Sequence, residues 1–165
     1  MSEILGTLFK YLAALLAIVA VVAIFYEALG NNNSGTAVSE ITSLQSGIES
    51  LYSGNPSALT TANLTPASLI TAGAAPSQMQ ASATTLVNPW GGTVTLGVPT
   101  AGSDFSITMA NVPKDACVKL STTISDDVSV TINGTAAITA LPVSPSTAAT
   151  DCSAAANTVA FTFGL

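Results

Sequence analysis

The chain has 165 residues, enough for one domain of ordinary size, and only 7% of them are charged, against roughly 25% in an average globular protein. Its three lysines, with no arginine and no histidine, leave a net charge of −6. Nothing in this composition neutralises phosphates, so direct nucleic-acid binding is not expected, and a surface so poor in charge suits a subunit that packs against copies of itself.

The first element is the stretch "KYLAALLAIVAVVAIFYEALG", which runs from Lys10 to Gly30. Between Tyr11 and Tyr26 it holds no charge, proline or glycine. This stretch predicts a helix over residues 1–29. We expect residues 1–30 to form a hydrophobic element for polymerisation and membrane attachment.

Four interpretations of this apolar stretch are possible, and they differ in the environment of the helix: removed with a signal peptide, in a membrane, in its own globular core, or among identical helices. A cleaved signal peptide would need a basic beginning and a clear small-residue cleavage site. A plain membrane anchor needs about 20 apolar residues, and Ile4–Leu29 reaches that length only by including Lys10 and Glu27. A helix buried in its own globular core would need a larger protein around it. A helix that lies first in the membrane and later among identical helices fits the length, the apolarity and the charge near one end.

The next segment, Gly30–Gly35, predicts a break, because Gly and Asn are poor in helix interiors. An amphipathic helix is predicted over residues 36–53, with Thr36 as its N-cap, Glu40 in its first turn and Gly54 ending it. Its apolar stripe, at spacings of three and four, consists of Val38, Ile41, Leu44, Ile48 and Leu51.

Residues 54–88 lack a long period and are rich in Pro, Ala and Ser, which predicts a connecting loop with short helices near Pro66–Ala72 and Pro76–Ala83. After Pro89 the apolar period changes to two, so residues 89–165 are expected to contain a sheet. The inward faces predicted for its strands are Val94, Leu96 and Val98; Phe105, Ile107 and Met109; Val128, Val130 and Ile132; and Val159, Phe161 and Phe163.

One helix is predicted within this sheet region, capped by Asn111 and with Pro113 in its first turn. Asn133–Gly134 predicts a tight turn. The fold class is therefore α+β: a long N-terminal helix, apolar in its first half and amphipathic in its second, packed on an antiparallel sheet in a globular region of residues 31–165. The apolar stripe of the helix predicted after Asn111 is Ala116, Cys117 and Leu120.

The two cysteines, Cys117 and Cys152, have no CxxC spacing and no histidine to complete a metal site. They are either two buried thiols or a disulfide, and the export suggested by the N-terminal stretch favours the disulfide. No catalytic, cofactor or metal site is predicted. The acidic doublet Asp126–Asp127 is expected in a solvated turn, and Trp90 is expected to anchor a packed turn rather than a ligand.

Taken together, the elements resemble a type IV pilin. The stretches "LQSGIESLYSG", "ITAGAAPSQM", "LVNPWGGTVTL", "FSITMANVPKDACVKL" and "NTVAFTFG" look like the type IVb subfamily, especially major pilins of conjugative thin pili and related enterobacterial pili. The resemblance covers essentially the whole chain. It implies that the chain is the mature form, that a prepilin peptidase removes a short leader, and that Met1 is N-methylated.

The charges near the N-terminus depart from the pattern of this family. The family usually carries a Glu at the fifth mature residue, where it meets the N-terminal amine of a neighbour, but this chain has Leu5 there. We therefore expect Glu3 to be neutralised by the N-terminal amine of a neighbour, by Lys10 of a neighbour, or by both. The alternative is that Lys10 reaches headgroups before assembly and a wet gap afterwards.

The resemblance predicts a structural, non-enzymatic major pilin that polymerises into an extracellular filament for conjugation, adhesion or aggregation. Its partners would be identical subunits, the inner membrane before assembly, and the pilus assembly machinery. The alternatives are a minor pilin or secretion-system pseudopilin, and a membrane-tethered periplasmic binding module. The residues predicted to act in assembly are Met1, Glu3, Lys10, Leu12, Leu15, Leu16, Ile18, Val21, Val22, Ile24 and Phe25.

Overall fold

The structure is a computed structural model that describes the backbone of residues 2–126 and 128–165. Side chains are described for residues 10–16, 18, 32–126 and 128–165. The chain divides into two units, residues 1–32 and residues 33–165, and each is described by itself. We call the second unit the head.

Helix α1 runs from Ser2 to Tyr52. It includes Gly30–Gly35, so the predicted break is wrong, and Thr36 is not an N-cap. Gly and Asn each cost up to about 1 kcal/mol in a helix interior, but extending an existing helix avoids the unfavourable nucleation step. The strong helical sequences on both sides therefore carry the helix through this segment.

The part of α1 within the head presents one buried stripe to the sheet. Ile41, Leu44 and Ile48 are fully buried, as predicted, and Val38 is half-buried. Leu51 was expected in this stripe but is exposed, because Tyr52, four residues after Ile48, takes the inward position in the last turn. The complete set of buried positions in this part of α1 is Ser34, Ala37, Glu40, Ile41, Leu44, Ile48 and Tyr52.

Residues 54–88 contain more regular structure than the predicted loop. A short helix α2 spans Pro66–Thr71 and is closed at its start by a capping box between Thr65 and Ser68. Single 3-10 turns occur at Pro56–Ala58 and Ser77–Met79. Two strands of three residues follow, β1 (Gln80–Ser82) and β2 (Thr85–Val87), where a helix near Pro76–Ala83 was predicted. Three residues are too few to show a period of two.

The sheet has six antiparallel strands in the order β1-β2-β3-β4-β6-β5. The last strand in sequence therefore lies between two others, which confirms that the C-terminal segment belongs to the main sheet. The longer strands are β3 (Thr93–Thr100), β4 (Asp104–Pro113), β5 (Ser129–Ile132) and β6 (Ala156–Gly164).

The inward faces of β4 and β6 are as predicted, and their residues pair directly: Phe105 with Phe163, Ile107 with Phe161, and Met109 with Val159. All six are fully buried, and the rings of Phe105 and Phe163 lie 5.5 Å apart. On β3, Val94 is buried, whereas Leu96 and Val98 are half-buried. On the β5 side, Val130 and Ile132 are buried, but Val128 precedes the strand and is exposed, contrary to prediction.

Helix α3 spans Lys114–Thr123, so Asn111 is not its N-cap. Asn111 instead has a φ of 57° and lies in β4, where one extra residue separates Met109 from Val112 relative to β6. This bulge reverses the side on which the next residues point, and it keeps Val112 buried. Asn adopts the left-handed conformation more readily than most residues, which fits it to this position. The predicted stripe of α3, namely Ala116, Cys117 and Leu120, is buried.

Helix α4 (Pro145–Asp151) was not predicted. It begins with Ser144, whose Oγ accepts a hydrogen bond from the Thr147 N–H, and Pro145 occupies its first turn. Ser followed by Pro is a recognised helix-start signal, so the sequence did contain the information. The tight turn at Asn133–Gly134 is confirmed, since both residues have positive φ and the Thr135 N–H donates to the Ile132 carbonyl.

Candidate functional site

The described part of the N-terminal unit is an apolar helical surface. Every described side chain in residues 10–16 and at residue 18 is exposed, and we call these residues the exposed N-terminal segment. Soluble proteins seldom leave so many large apolar side chains in contact with water, and such patches mark interaction surfaces. Its large apolar members, between 54 and 72% exposed, are Tyr11, Leu12, Leu15, Leu16 and Ile18.

Five of the predicted assembly residues belong to this segment: Lys10, Leu12, Leu15, Leu16 and Ile18. Within the side chains that are described, no helix is long and apolar enough to cross a membrane. The predicted assembly residues that lie outside the described side chains are Met1, Glu3, Val21, Val22, Ile24 and Phe25.

Glu40 is a buried acid in the head. It was predicted to lie in the first turn of an amphipathic helix, but it is only 6% exposed, on a continuous helix beside Ile41. Its Oε2 atom is buried without a hydrogen-bond partner among the described residues. This burial disfavours the charged form and raises the pKa of Glu40 from 4.5 to about 7. The carboxyl is therefore a titratable group inside the core.

Cys117 and Cys152 form a disulfide, as predicted, with their Cα atoms 5.8 Å apart. Cys117 lies on the buried face of α3, and Cys152 directly follows α4. The bond closes a segment with a sequence separation of 35 residues, and neither sulfur is left free. It therefore ties the two helices that flank β5 in sequence to each other.

Asn88 organises the turn "NPWGG" before β3. Its Oδ1 accepts hydrogen bonds from the backbone N–H groups of Trp90 and Gly92, at 3.0 and 2.9 Å, and its Nδ2 donates to the Ala110 carbonyl at 2.7 Å. Trp90 is half-buried and packs against the core, in agreement with the packed-anchor interpretation. Gly92 lies against the backbone of Ala110, where any Cβ would overlap it.

A pair of asparagines, Asn133 and Asn157, joins the turn after β5 to the start of β6. The Nδ2 of Asn133 donates to the Asn157 Oδ1 at 2.8 Å and to the Asp151 carbonyl at 2.9 Å. Asn157 is buried, and its Nδ2 donates to the Ala154 and Val112 carbonyls. These bonds satisfy backbone carbonyls at the end of α4, in the loop before β6 and in β4, so the pair has a structural role.

The acidic residues of the described part of the chain do not form a metal-binding group. Among the described residues, no group of three or more His, Cys, Asp and Glu side chains could hold a metal ion. Asp126 is exposed, and Asp127 lies outside the described residues.

Comparison with known proteins places the chain in a family. A family model described as PilS N terminal matches residues 31–164. The chain belongs to the PilS N-terminal family. Among solved structures it is similar to TcpA, a type IV pilin from Vibrio cholerae El Tor biotype, with a TM-score of 0.57 and 18% identity over 79% of this chain and 98% of that one. No curated protein sequence matches the chain.

The fold is that of a type IV pilin, which confirms the α+β prediction. The region that matches the PilS N-terminal family begins at residue 31. It contains Glu40, the disulfide and all six strands, whereas the exposed N-terminal segment precedes it. The burial of Glu40 was not predicted from the sequence. Its position directly before Ile41 and three residues after Ala37, inside the apolar stripe, was the available signal.

Proposed function

We propose that this chain is the major structural subunit of a type IV pilus of the IVb subfamily. The observation that carries the proposal is the exposed N-terminal segment, in which every described side chain is exposed and Lys10 alone is charged. Membership of the PilS N-terminal family and the type IV pilin fold support it. The proposed role is structural, and no catalytic activity is assigned.

Burial of the segment provides the driving force for assembly. Fully burying a Leu or Ile side chain is worth roughly 1.5–3 kcal/mol, so the five large apolar side chains together offer on the order of 10 kcal/mol per subunit. A bundle of identical helices can bury such a surface on all sides. Because each subunit would use different surfaces toward its two neighbours, the assembly would not close and would grow as a helical fibre.

The proposal also covers the steps before and after assembly. The subunit is held in the inner membrane by its N-terminal helix, a prepilin peptidase removes a leader, Met1 is N-methylated, and the pilus machinery extracts the subunit into the extracellular filament. Glu3 is neutralised there by the N-terminal amine or by Lys10 of a neighbour. The filament makes cell–cell or surface contacts, in conjugative mating-pair stabilisation, adhesion or aggregation.

Electron microscopy of surface fibres tests this function. Cells that produce the chain with a pilus assembly machinery should yield sheared fibres composed of it. Leu15→Asp or Leu16→Asp should abolish the fibres, because each places a charge in the apolar bundle, whereas Leu15→Ile should preserve them. An oxidised Cys117–Cys152 pair in every variant would show that the head still folds. If the unmodified chain gives no fibres, the proposal is wrong.

The charges near the N-terminus have their own test. Glu3→Gln and Lys10→Met should each reduce fibre yield while the head stays folded. If the two charges pair between subunits, the double variant should lose less than the sum of the single losses. Full fibre yield in both single variants would show that neither charge is needed for packing.

A further inference from the structure

The charges of the head are unevenly distributed. Both of its lysines, Lys114 and Lys119, lie on α3, and both are exposed. Lys114 is the first residue of this helix, and the half-buried Val118 lies beside Lys119. The helix therefore carries all the positive side-chain charge of the head next to a partly apolar surface. The acidic residues of the head are Glu40, Glu49, Asp104, Asp115, Asp126, Asp127 and Asp151.

A surface of opposite character lies at one end of the sheet. It consists of Asp104, Asp126, Val128 and Leu165, and we call it the sheet-end patch. Asp104 is the register partner of Gly164, which precedes Leu165. A Cβ built on Gly164 would lie 3.7 Å from Cγ2 of Val128, so Val128 covers the same strand end.

The sheet-end patch combines acids with exposed apolar side chains. Val128 is 52% exposed and Leu165 is 36% exposed. Asp126 is exposed two residues before Val128, and Asp104 is half-buried at the start of β4. An exposed apolar pair with flanking carboxylates suits a partner that brings both aliphatic surface and positive charge.

Lys114 and Asp104 lie at opposite ends of strand β4. Strand β4 begins at Asp104 in the sheet-end patch and ends at Pro113, directly before Lys114. A strand rises about 3.3 Å per residue, so its ten residues separate Asp104 from Lys114 by roughly 30 Å. A single head therefore cannot bring Lys114 onto its own patch. Two heads stacked end to end can do so.

We propose that Lys114 of one subunit docks against the sheet-end patch of a second copy of this chain. The proposal rests on the proposed pilus function and adds a contact between heads to the contact between N-terminal helices. The stem of Lys114 covers Val128 and Leu165, and its ammonium group faces the carboxylates of Asp104 and Asp126. Because the two surfaces differ, the contact is heterologous and propagates along a fibre.

Zero-length carbodiimide cross-linking of wild-type fibres tests this contact directly. The reagent joins a lysine to a carboxylate only where the two touch. Mass spectrometry should find Lys114 linked to Asp104 or Asp126, and a Lys114–Asp104 link must join two copies because of the separation of roughly 30 Å along β4. Fibres in which Lys114 is linked only to acids outside the sheet-end patch, or to none, would overturn the proposal.

Charge reversal of Lys114 provides a second, independent test. Lys114→Glu should lower fibre yield about tenfold or more, because it sets like charges against each other, whereas Lys114→Arg should keep the yield. A negative charge at the start of α3 suits the helix dipole, so the head itself should fold normally, as judged by its thermal midpoint. Adding Asp126→Lys to Lys114→Glu should restore part of the yield.

The outcomes separate the two proposals. If the unmodified chain forms no fibres, the pilus function and the contact between heads both fail. If it forms fibres and Lys114→Glu forms them equally well, only the contact between heads fails.

Discussion

Gly47 of α1 lies directly against Ala74, in the loop that follows α2. A Cβ placed on Gly47 would overlap the Ala74 carbonyl oxygen and lie 3.1 Å from the Ala74 Cβ. The neighbouring Ala75 is buried in the core, so this loop is held in place and cannot easily move away. The glycine thus allows the helix to approach the loop at backbone distance.

We predict that Gly47→Ala lowers the free energy of unfolding by about 1–3 kcal/mol, the usual cost of overpacking, although Ala is the better helix former. Gly35→Ala, on the same helix, is the matched control. A Cβ on Gly35 meets nothing within 4 Å, so that change should raise stability by about 0.5–1 kcal/mol. Urea unfolding monitored by Trp90 fluorescence measures both variants. Equal effects of the same sign would contradict the packing argument.

Glu40 makes stability depend on pH. Because burial raises the pKa of Glu40 from 4.5 to about 7, the folded chain binds this proton more tightly than the unfolded chain. Its contribution is fully present below pH 4.5 and is lost as the pH rises to about 7. The total loss is about 3 kcal/mol. Stability should therefore fall across this window and level off above it.

The Glu40→Gln variant should remove this component, since an amide of the same shape does not titrate in this range. At pH 8 it should be more stable than the unmodified chain, and the difference should shrink toward pH 4.5. Glu49→Gln on the same helix is the control, and it should retain the slope that Glu40 causes. A Glu40→Gln chain that keeps the full pH slope would show that another group is responsible.

Asn88 offers a test of the turn "NPWGG". Asn88→Asp keeps the oxygen that accepts from the Trp90 and Gly92 N–H groups, but it replaces the donor that bonds the Ala110 carbonyl. Two oxygens then face each other at a buried position, which should cost about 1–3 kcal/mol. Asn63→Asp is the control, because its amide donates to the Ala58 carbonyl at an exposed site. Similar losses at the two positions would mean that burial does not set the cost.

Sequence patterns predicted the buried faces of the long strands well. Phe105, Ile107 and Met109 alternate over a strand long enough for the period to be clear, and one face of the sheet is the core. The disulfide could also be predicted from the sequence, because the chain has only two cysteines. Such features depend on local composition and on a strong contrast between core and solvent.

Other features depend on contacts that the sequence does not display. The helix through Gly30–Gly35 follows from helical sequences on both sides, which outweigh local propensity. Asn111 has the composition of a helix cap, but pairing of β4 with β6 continues past it and makes it a bulge. In the candidate site, Leu15 and Leu16 are exposed, whereas the role of Glu3 stays a prediction.

The disulfide should contribute strongly to the stability of the head. Closing a loop of 35 residues stabilises a fold by about 4 kcal/mol in the chain-entropy account. The double variant Cys117→Ala with Cys152→Ala should lose about that amount in urea unfolding. Mass spectrometry without reductant should find the unmodified chain lighter by two hydrogen atoms than its reduced form. Equal unfolding midpoints with and without the bond would contradict this account.

Val128 and Val130 form the last matched pair. Both were expected on the inward face by alternation, but Val130 is fully buried in β5 and Val128 is 52% exposed before it. Val130→Thr should therefore lower the free energy of unfolding by about 1–3 kcal/mol, because it buries a hydroxyl in the core. Val128→Thr should change it by less than about 0.5 kcal/mol.

The Val128 variant also separates folding from assembly. If Val128 contacts a second copy, Val128→Thr should reduce fibre yield while urea unfolding of the chain is unchanged. Val130→Thr should lower the free energy of unfolding. It should reduce fibre yield only because less folded subunit is present. Loss of head stability in Val128→Thr equal to that in Val130→Thr would place Val128 in the core. In that case, the position of Val128 beside Gly164 would give no support to a contact between subunits.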